Sequence, residues 1–305
     1  MTATTAEKYK CCTLCARRCG IDRTKAFGYC GASAEMLIAR AALHMWEEPP
    51  ISGTNGSGTV FFCGCSLGCI FCQNKTISRI NSGKAVTPEE LAAIMLRLEK
   101  AGAHNINFVT PTHYIPSITS TVVEARKKGL KIPIVYNTGS YELTSALKML
   151  DGHIDIYLPD FKYYSSETAK KYSSAPDYRE VADAAIEEMV RQVGEPLLDE
   201  YGIMRKGVIV RVLLLPSHVA EAKLIVSHLY KKYGNSIYIS LMNQYTPMPG
   251  ANGVLSRRVS NSEYSELVDF AIKKGIERCF IQEGETAKES FIPPFDPLSN
   301  INIYT

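Results

Sequence analysis

The clearest regularity along this chain is an alternation between short apolar runs and longer stretches whose apolar residues recur at helical spacing. "TVFFCG" (59–64) is β-branched and aromatic, which predicts a strand. "PEELAAIMLRLEKAG" (88–102) opens on Pro88, keeps the helical period and stops at Gly102, which predicts a helix. The pair then repeats. "NINFV" (105–109) is followed by the helical "IPSITSTVVEARKKG" (115–129), and "IPIVYN" (132–137) by "YELTSALKML" (141–150). "IDIYL" (154–158) leads into two helical stretches within 165–194. "GVIVRVLLL" (207–215) reads as a buried strand, "AEAKLIVSHLYKKYG" (220–234) as a helix and "SIYISLM" (236–242) as a strand. "SEYSELVDFAIKKG" (262–275) and "RCFIQ" (278–282) close the series.

Strands alternating with helices of about 10 to 15 residues specify βαβ units on a parallel sheet. The sheet is then either doubly wound or a partial β/α barrel, and either form carries its chemistry at the C-terminal strand ends. Ahead of this α/β region, 51–305, lies a Cys-rich extension, 1–50, which runs into the Pro/Gly/Ser loop "EEPPISGTNGSG".

Composition narrows the class. With 305 residues, 46% apolar and 21% charged, the chain folds rather than stays disordered. Its net charge is +3 with Lys and Arg scattered, so no nucleic-acid footprint is expected. The N-terminal "MTATTAEKYK" lacks the apolar segment of a secretory signal, and no run reaches the roughly 18 apolar residues of a membrane helix. The expectation is a cytoplasmic protein without a membrane partner. Nine of the ten cysteines precede residue 73, a clustering that favours metal or cluster binding over a disulfide framework, which would be spread along the chain.

Four cysteines fall in "FFCGCSLGCIFCQNKT" (61–76), immediately after the first strand. Cys65-x3-Cys69-x2-Cys72 places three thiolates on one short loop, enough for three irons of a cubane with the fourth left open. A disulfide would strand the third thiol, and tetrahedral zinc asks for four ligands. Cys63, still in the strand, reads as a small buried hydrophobe.

This spacing, with Phe71 just before the third cysteine, resembles the signature of the radical S-adenosylmethionine (SAM) superfamily. The resemblance implies a partial (β/α)6 TIM-type barrel of parallel strands, and a [4Fe–4S] cluster on Cys65, Cys69 and Cys72 whose open iron is chelated by SAM. Reductive cleavage of SAM would yield a 5′-deoxyadenosyl radical that abstracts hydrogen. Over nearly the whole chain the sequence is similar to uncharacterised homologues of pyruvate formate-lyase-activating protein. The stretches that carry this include "CTLCARRCGIDR", "NINFVTPTHYIP", "PIVYNTGSYE", "DIYLPDFKYY", "VIVRVLLLPS" and "SLMNQYTP". It implies an electron donor such as flavodoxin or ferredoxin.

The strand ends supply further candidates. Where activating enzymes carry a Gly-Gly-Glu-Pro motif for the ammonium of SAM, this chain has "TPTH"; Thr110 and Thr112 can accept from an ammonium, but the carboxylate is gone. His113 reads equally as a proton carrier or a packing residue. Asn137 and Thr138 follow the third strand and match a cofactor-touching turn. Asp160 and Lys162, two apart on an extended segment, point the same way and are expected to face the cofactor. Arg211, a charge inside an apolar strand, needs a partner: the cofactor by resemblance, or Asp160. Asn243, Gln244, Tyr245, Gln282 and Glu283 stand at the last two strand ends. In the extension, Cys12-x2-Cys15-x3-Cys19-x10-Cys30 has four-ligand spacing for zinc or an auxiliary iron–sulfur cluster.

Three functions follow from these readings. One is a radical SAM enzyme that activates a protein partner, another the same chemistry on a small molecule or peptide. The third is a non-catalytic iron–sulfur binding or electron-transfer protein.

Overall fold

The predicted strands pair in chain order. The computed structural model describes residues 5–79 and 83–282. Its strands are β1 (Met36–His44), β2 (Ser57–Phe62), β3 (Lys84–Val86), β4 (Ile106–Val109), β5 (Ile134–Thr138), β6 (Ile156–Pro159), β7 (Leu197–Leu198), β8 (Met204–Leu213), β9 (Tyr238–Met242) and β10 (Cys279–Ile281). They lie in the order β3-β1-β2-β4-β5-β6-β8-β9-β10, with β7 paired only to β8. From β2 through β10, apart from β7, the pairs are parallel. A doubly wound sheet reverses its order partway; this one does not, which is the order of a barrel. Among the described residues the sheet stays open, so the barrel is partial.

The helices between the strands start where local chemistry directs. Thr87 and Glu90 form a capping box ahead of Pro88–Lys100, and Ser260 with Glu263 does the same for Asn261–Lys273. Ile115–Lys127, Tyr178–Val193 and Val219–Tyr233 follow the expected periodic stretches. The helix expected over 141–150 shrinks to one turn, Thr144–Leu147, continued by a 3-10 turn. Ser140 there is left-handed (φ 62°) and Glu142 forms a β-bridge with Cys15, so the chain is still extended at the predicted helix start.

Strand alternation divides the core. Val60, Phe62, Ile106, Phe108, Ile134 and Tyr136 join one cluster with the helix faces, whereas Ile51, Val135, Ile156, Leu158 and Ile209 form another, inside the sheet's curve. β1 was not expected: it lies within the Cys-rich extension, yet pairs antiparallel with β2 and carries β3 at the sheet edge. Among the described residues no helix is long and apolar enough to cross a membrane.

Candidate active site

The side chains inside the curve leave a cavity of about 190 Å³. Its lining includes Cys65, Cys69, Phe71 and Cys72 on one loop, and Thr110, Thr112, Asn137, Thr138, Asp160, Lys162 and Arg211 from successive strand ends. Residues spread over 147 positions of sequence (Cys65 to Arg211, inclusive) thus share one wall, as the barrel order requires.

The cysteine loop leaves β2 through Gly64 at φ 90°, a left-handed geometry that suits glycine. A Cβ there would come within 2.9 Å of the Cys30 carbonyl and 3.2 Å of His113 Nε2. That close approach lets the Cys65 N–H donate to the Cys30 carbonyl at 3.0 Å. Burial, reinforced by the charges of Cys65 and Cys69, pushes the Cys72 thiol up to about 12; burial and Cys69 likewise raise Cys65. With Cys65 and Cys72 both held back from ionising, this is a site whose thiolates need positive charge to form. Among the described residues no three His, Cys, Asp or Glu side chains converge tightly enough for a single metal ion. A cubane suits the set better, because it takes one thiolate per iron rather than three on one ion. Phe71 beside them is held edge-on by Tyr163, Tyr172 and Tyr245 at 6.3, 6.0 and 6.3 Å.

The strand ends of the same cavity carry a charged network. Arg211 sits between Val210 and Val212, which face the helices, so the period of two turns it inward. Its Nε donates to Asp160 Oδ1 (2.7 Å), its Nη2 to Asn137 Oδ1 (2.6 Å) and its Nη1 to Glu47 Oε2 (3.3 Å). Lys162 Nζ donates to the other Asp160 oxygen at 2.6 Å. Burial works to raise Asp160, but Arg211 and Lys162 outweigh it and hold the carboxyl below its ordinary value. Burial likewise opposes the charge on Lys162, and Asp160, joined by Cys69, overcomes it. Arg211 therefore has protein partners, Asp160 as the sequence allowed with Glu47 and Asn137 added, while it also lines the cavity.

Glu47 and Glu142 escaped the sequence reading. Glu47 belongs to "EEPP", read as a loop; it lines the cavity, where Asn107 Nδ2 donates to it at 2.9 Å. Burial raises it, Arg211 opposing and Asp160 adding. Glu142 stands in the "YNTGSYE" turn, is 1% exposed, and accepts hydroxyl protons from Thr112, Tyr136 and Thr138. No local pattern marks either residue, since each matters only for what the fold brings against it. Thr110, at the end of β4, adopts φ 57°, a strained geometry for a β-branched residue.

His113 lies elsewhere. It is absent from the cavity lining, 2% exposed, and its Nε2 meets the Cys63 carbonyl at 2.7 Å. Burial and then Arg23 lower it to about 3, so its packing reading is the one the surroundings match. Gln244 and Tyr245 line the cavity; Gln282 instead accepts from the Asn243 N–H at 2.8 Å. Glu283 lies outside the described residues.

The extension packs onto this site. Arg17 donates to the carbonyls of Ser66 and Leu67 in the cysteine loop. Cys12, Cys15, Cys19 and Cys30 gather, with Cys30 and Cys19 Sγ 3.3 and 3.7 Å from where a Gly28 side chain would start. Burial, then the charges of Cys30, Cys12 and Cys19, pushes Cys15 up to about 12. Arg23, fully buried, donates to the carbonyls of Ala32, His113 and Ser33 and to Cys12 Sγ. None of the ten cysteines forms a disulfide.

This arrangement can be compared with known proteins. The uncharacterized protein MJ0674 of Methanocaldococcus jannaschii is 28% identical over 281 residues, covering 88% of this chain and 76% of that protein. The crystal structure of Streptococcus suis SuiB bound to S-adenosylmethionine matches with a TM-score of 0.50 at 15% identity, over 72% of this chain and 48% of its own. SuiB bound to precursor peptide SuiA matches with a TM-score of 0.51 at 13% identity, over 73% and 47%. The match spans about half the length of those solved structures, and at this identity the likeness is one of fold. Residues 59–201 match the family model of the radical SAM superfamily, an interval that runs from β2 and its cysteine loop to β7. The sheet order and the cysteine loop agree with this match of residues 59–201 to the radical SAM superfamily.

Proposed function

We propose that this protein is a radical SAM enzyme that holds a [4Fe–4S] cluster on Cys65, Cys69 and Cys72 and abstracts hydrogen from a protein or peptide partner, in the manner of an activating enzyme. The observation that carries this is the shared cavity: three free thiols on one loop beside a polar, charged lining. When bound, the cluster and SAM supply the one-electron cleavage of a sulfonium and the hydrogen abstraction that follows. The protein's own residues set the stage. Phe71, wedged among three tyrosines, offers an aromatic surface beside the thiols for adenine. Arg211 and Lys162, both tied to Asp160, present fixed positive charge toward a carboxylate, and Thr110, Thr112, Asn137 and Thr138 offer polar contacts. The thiols of Cys12, Cys15, Cys19 and Cys30 gather without converging on a single-ion position, and are proposed to close around zinc or an auxiliary cluster as it binds, with buried Arg23 offsetting their charge. The surroundings favour a reducing compartment, the cytoplasm, with flavodoxin or ferredoxin as donor. That SuiB has been crystallised with a precursor peptide favours a polypeptide substrate over a small molecule.

The test is anaerobic. Protein reconstituted with iron and sulfide, then given dithionite and SAM, is expected to release 5′-deoxyadenosine above a Cys69→Ala control. A Cys65/Cys69/Cys72→Ala triple variant that retained its full iron content would overturn the cluster assignment. A cluster signal with no 5′-deoxyadenosine in the presence of a polypeptide substrate would favour the electron-transfer reading.

A further inference from the structure

The wall of the cavity formed by the ends of β4 and β5 lacks an exposed carboxylate, yet a carboxyl group stands directly behind it. Thr112 and Thr138 both line the cavity, and their hydroxyls both donate their single proton to Glu142 Oε1, at 2.6 and 2.8 Å. Tyr136 donates to the same oxygen at 2.7 Å. A hydroxyl has one proton to give and two lone pairs to offer. With their protons committed to Glu142, the two threonines face the cavity as acceptors only. Thr138 already accepts from the Ser140 N–H at 3.1 Å, so one of its lone pairs is engaged. The second Glu142 oxygen, Oε2, is buried without a partner, so the carboxyl is not consumed by the protein's own donors. The adjoining wall, from the next strand ends, is cationic through Arg211 and Lys162.

We infer that Glu142 is a positioning residue that turns Thr112 and Thr138 into a seat for a ligand ammonium, the amino group of SAM, while the cationic wall faces the ligand carboxylate. This inference rests on the SAM-binding reading above and deepens it. Of the donors on SAM, the ammonium is the charged one, and an acceptor-only wall backed by a carboxyl group selects it. The seat is built from the third and second parallel strands together, so it needs no acidic residue in the "TPTH" turn itself.

The experiment measures binding without turnover, on the full chain reconstituted anaerobically with iron and sulfide and left unreduced. Equilibrium dialysis gives dissociation constants for SAM and for its desamino analogue, in which hydrogen replaces the ammonium. The unaltered protein is expected to bind SAM about tenfold or more tighter than the analogue. Glu142→Ala frees the threonine hydroxyls to donate into the cavity, and is expected to narrow that ratio to below about threefold while the analogue's affinity holds. Glu142→Gln keeps an acceptor oxygen in place and is expected to retain most of the discrimination. Thr112→Val deletes the acceptor and should behave like Glu142→Ala, which covers the case in which the alanine variant fails to fold. Parallel losses for both compounds in Glu142→Ala and Thr112→Val, or an unchanged ratio, would overturn the inference while leaving SAM binding intact. No binding of either compound by the unaltered, iron-loaded protein would overturn the functional reading, and this inference with it.

Discussion

Asp160→Asn isolates the charge balance of the cavity. Asp160 holds two cations at once: Lys162 at 2.6 Å and Arg211 at 2.7 Å, with side chains 17% and 12% exposed. Asparagine keeps the shape but removes the charge, leaving Lys162 without its anion and Arg211 with Glu47 and the Asn137 amide oxygen. Removing one partner of a buried pair costs about 3–5 kcal/mol, because the remaining charge stays desolvated. Since Arg211 keeps Glu47, the lower end, about 3 kcal/mol, is expected. Equilibrium urea denaturation of the cluster-free protein at pH 7, followed by far-ultraviolet circular dichroism, measures it directly. The same variant has a pH signature. Asp160 is held below its ordinary value, so its contribution is complete above the unfolded value of about 3.9 and fades as pH falls through the lower folded value. The stability gap between wild type and variant should therefore be constant from about pH 5 to pH 7, which lies about one unit or more above the unfolded value, and close only in stronger acid. A loss below about 1 kcal/mol at pH 7 would refute the reasoning, since it would place the pair in the range of exposed ion pairs.

Glu48 should show the opposite sign. Burial, opposed by Arg211 and reinforced by Glu47, pushes it up to about 7, so between about 4.3 and that value the folded state holds the extra proton and stability falls as pH rises. Glu48→Gln is expected to flatten this slope by up to about 1.4 kcal/mol per pH unit, read from urea titrations across the window. Gly64→Ala forces a Cβ to within 2.9 Å of the Cys30 carbonyl at a left-handed φ, and should lower stability by about 1–3 kcal/mol in thermal or urea unfolding. The Cys12→Ser/Cys19→Ser double variant is expected to lose metal bound by the extension while retaining the iron of the Cys65 loop, measured by elemental analysis; equal metal content would refute ligation there.

The two acids that proved central show where reading the sequence stops. Arg211 was legible because a charge within "VIVRVLLL" must face something other than hydrocarbon, and Asp160 and Lys162 because residues two apart in an extended segment share a side. Glu47 was not, because nothing in "EEPP" states that its loop folds under the sheet against Arg211 and Asn107. Glu142 sits in a turn whose other members were singled out. Its importance comes from three hydroxyls on β5 and the turn after β4, contacts between segments as many as 30 residues apart. His113, which the sequence left equally as a proton carrier or a packing residue, lies against the Cys63 carbonyl and is absent from the cavity lining.

By itself the sequence determined the order and kind of the elements, since the periods of two and 3.6 are local properties of backbone geometry. It also determined the cysteine loop, whose three thiols lie within eight consecutive residues. Only the tertiary structure decided that the strands add in one direction into an open barrel, and that β1 leaves the extension to join the sheet between β2 and β3. It alone decided which carboxylates stand behind the cavity wall. Burial and opposing charge are summed over every segment that packs around a point, and no stretch of chain contains that sum.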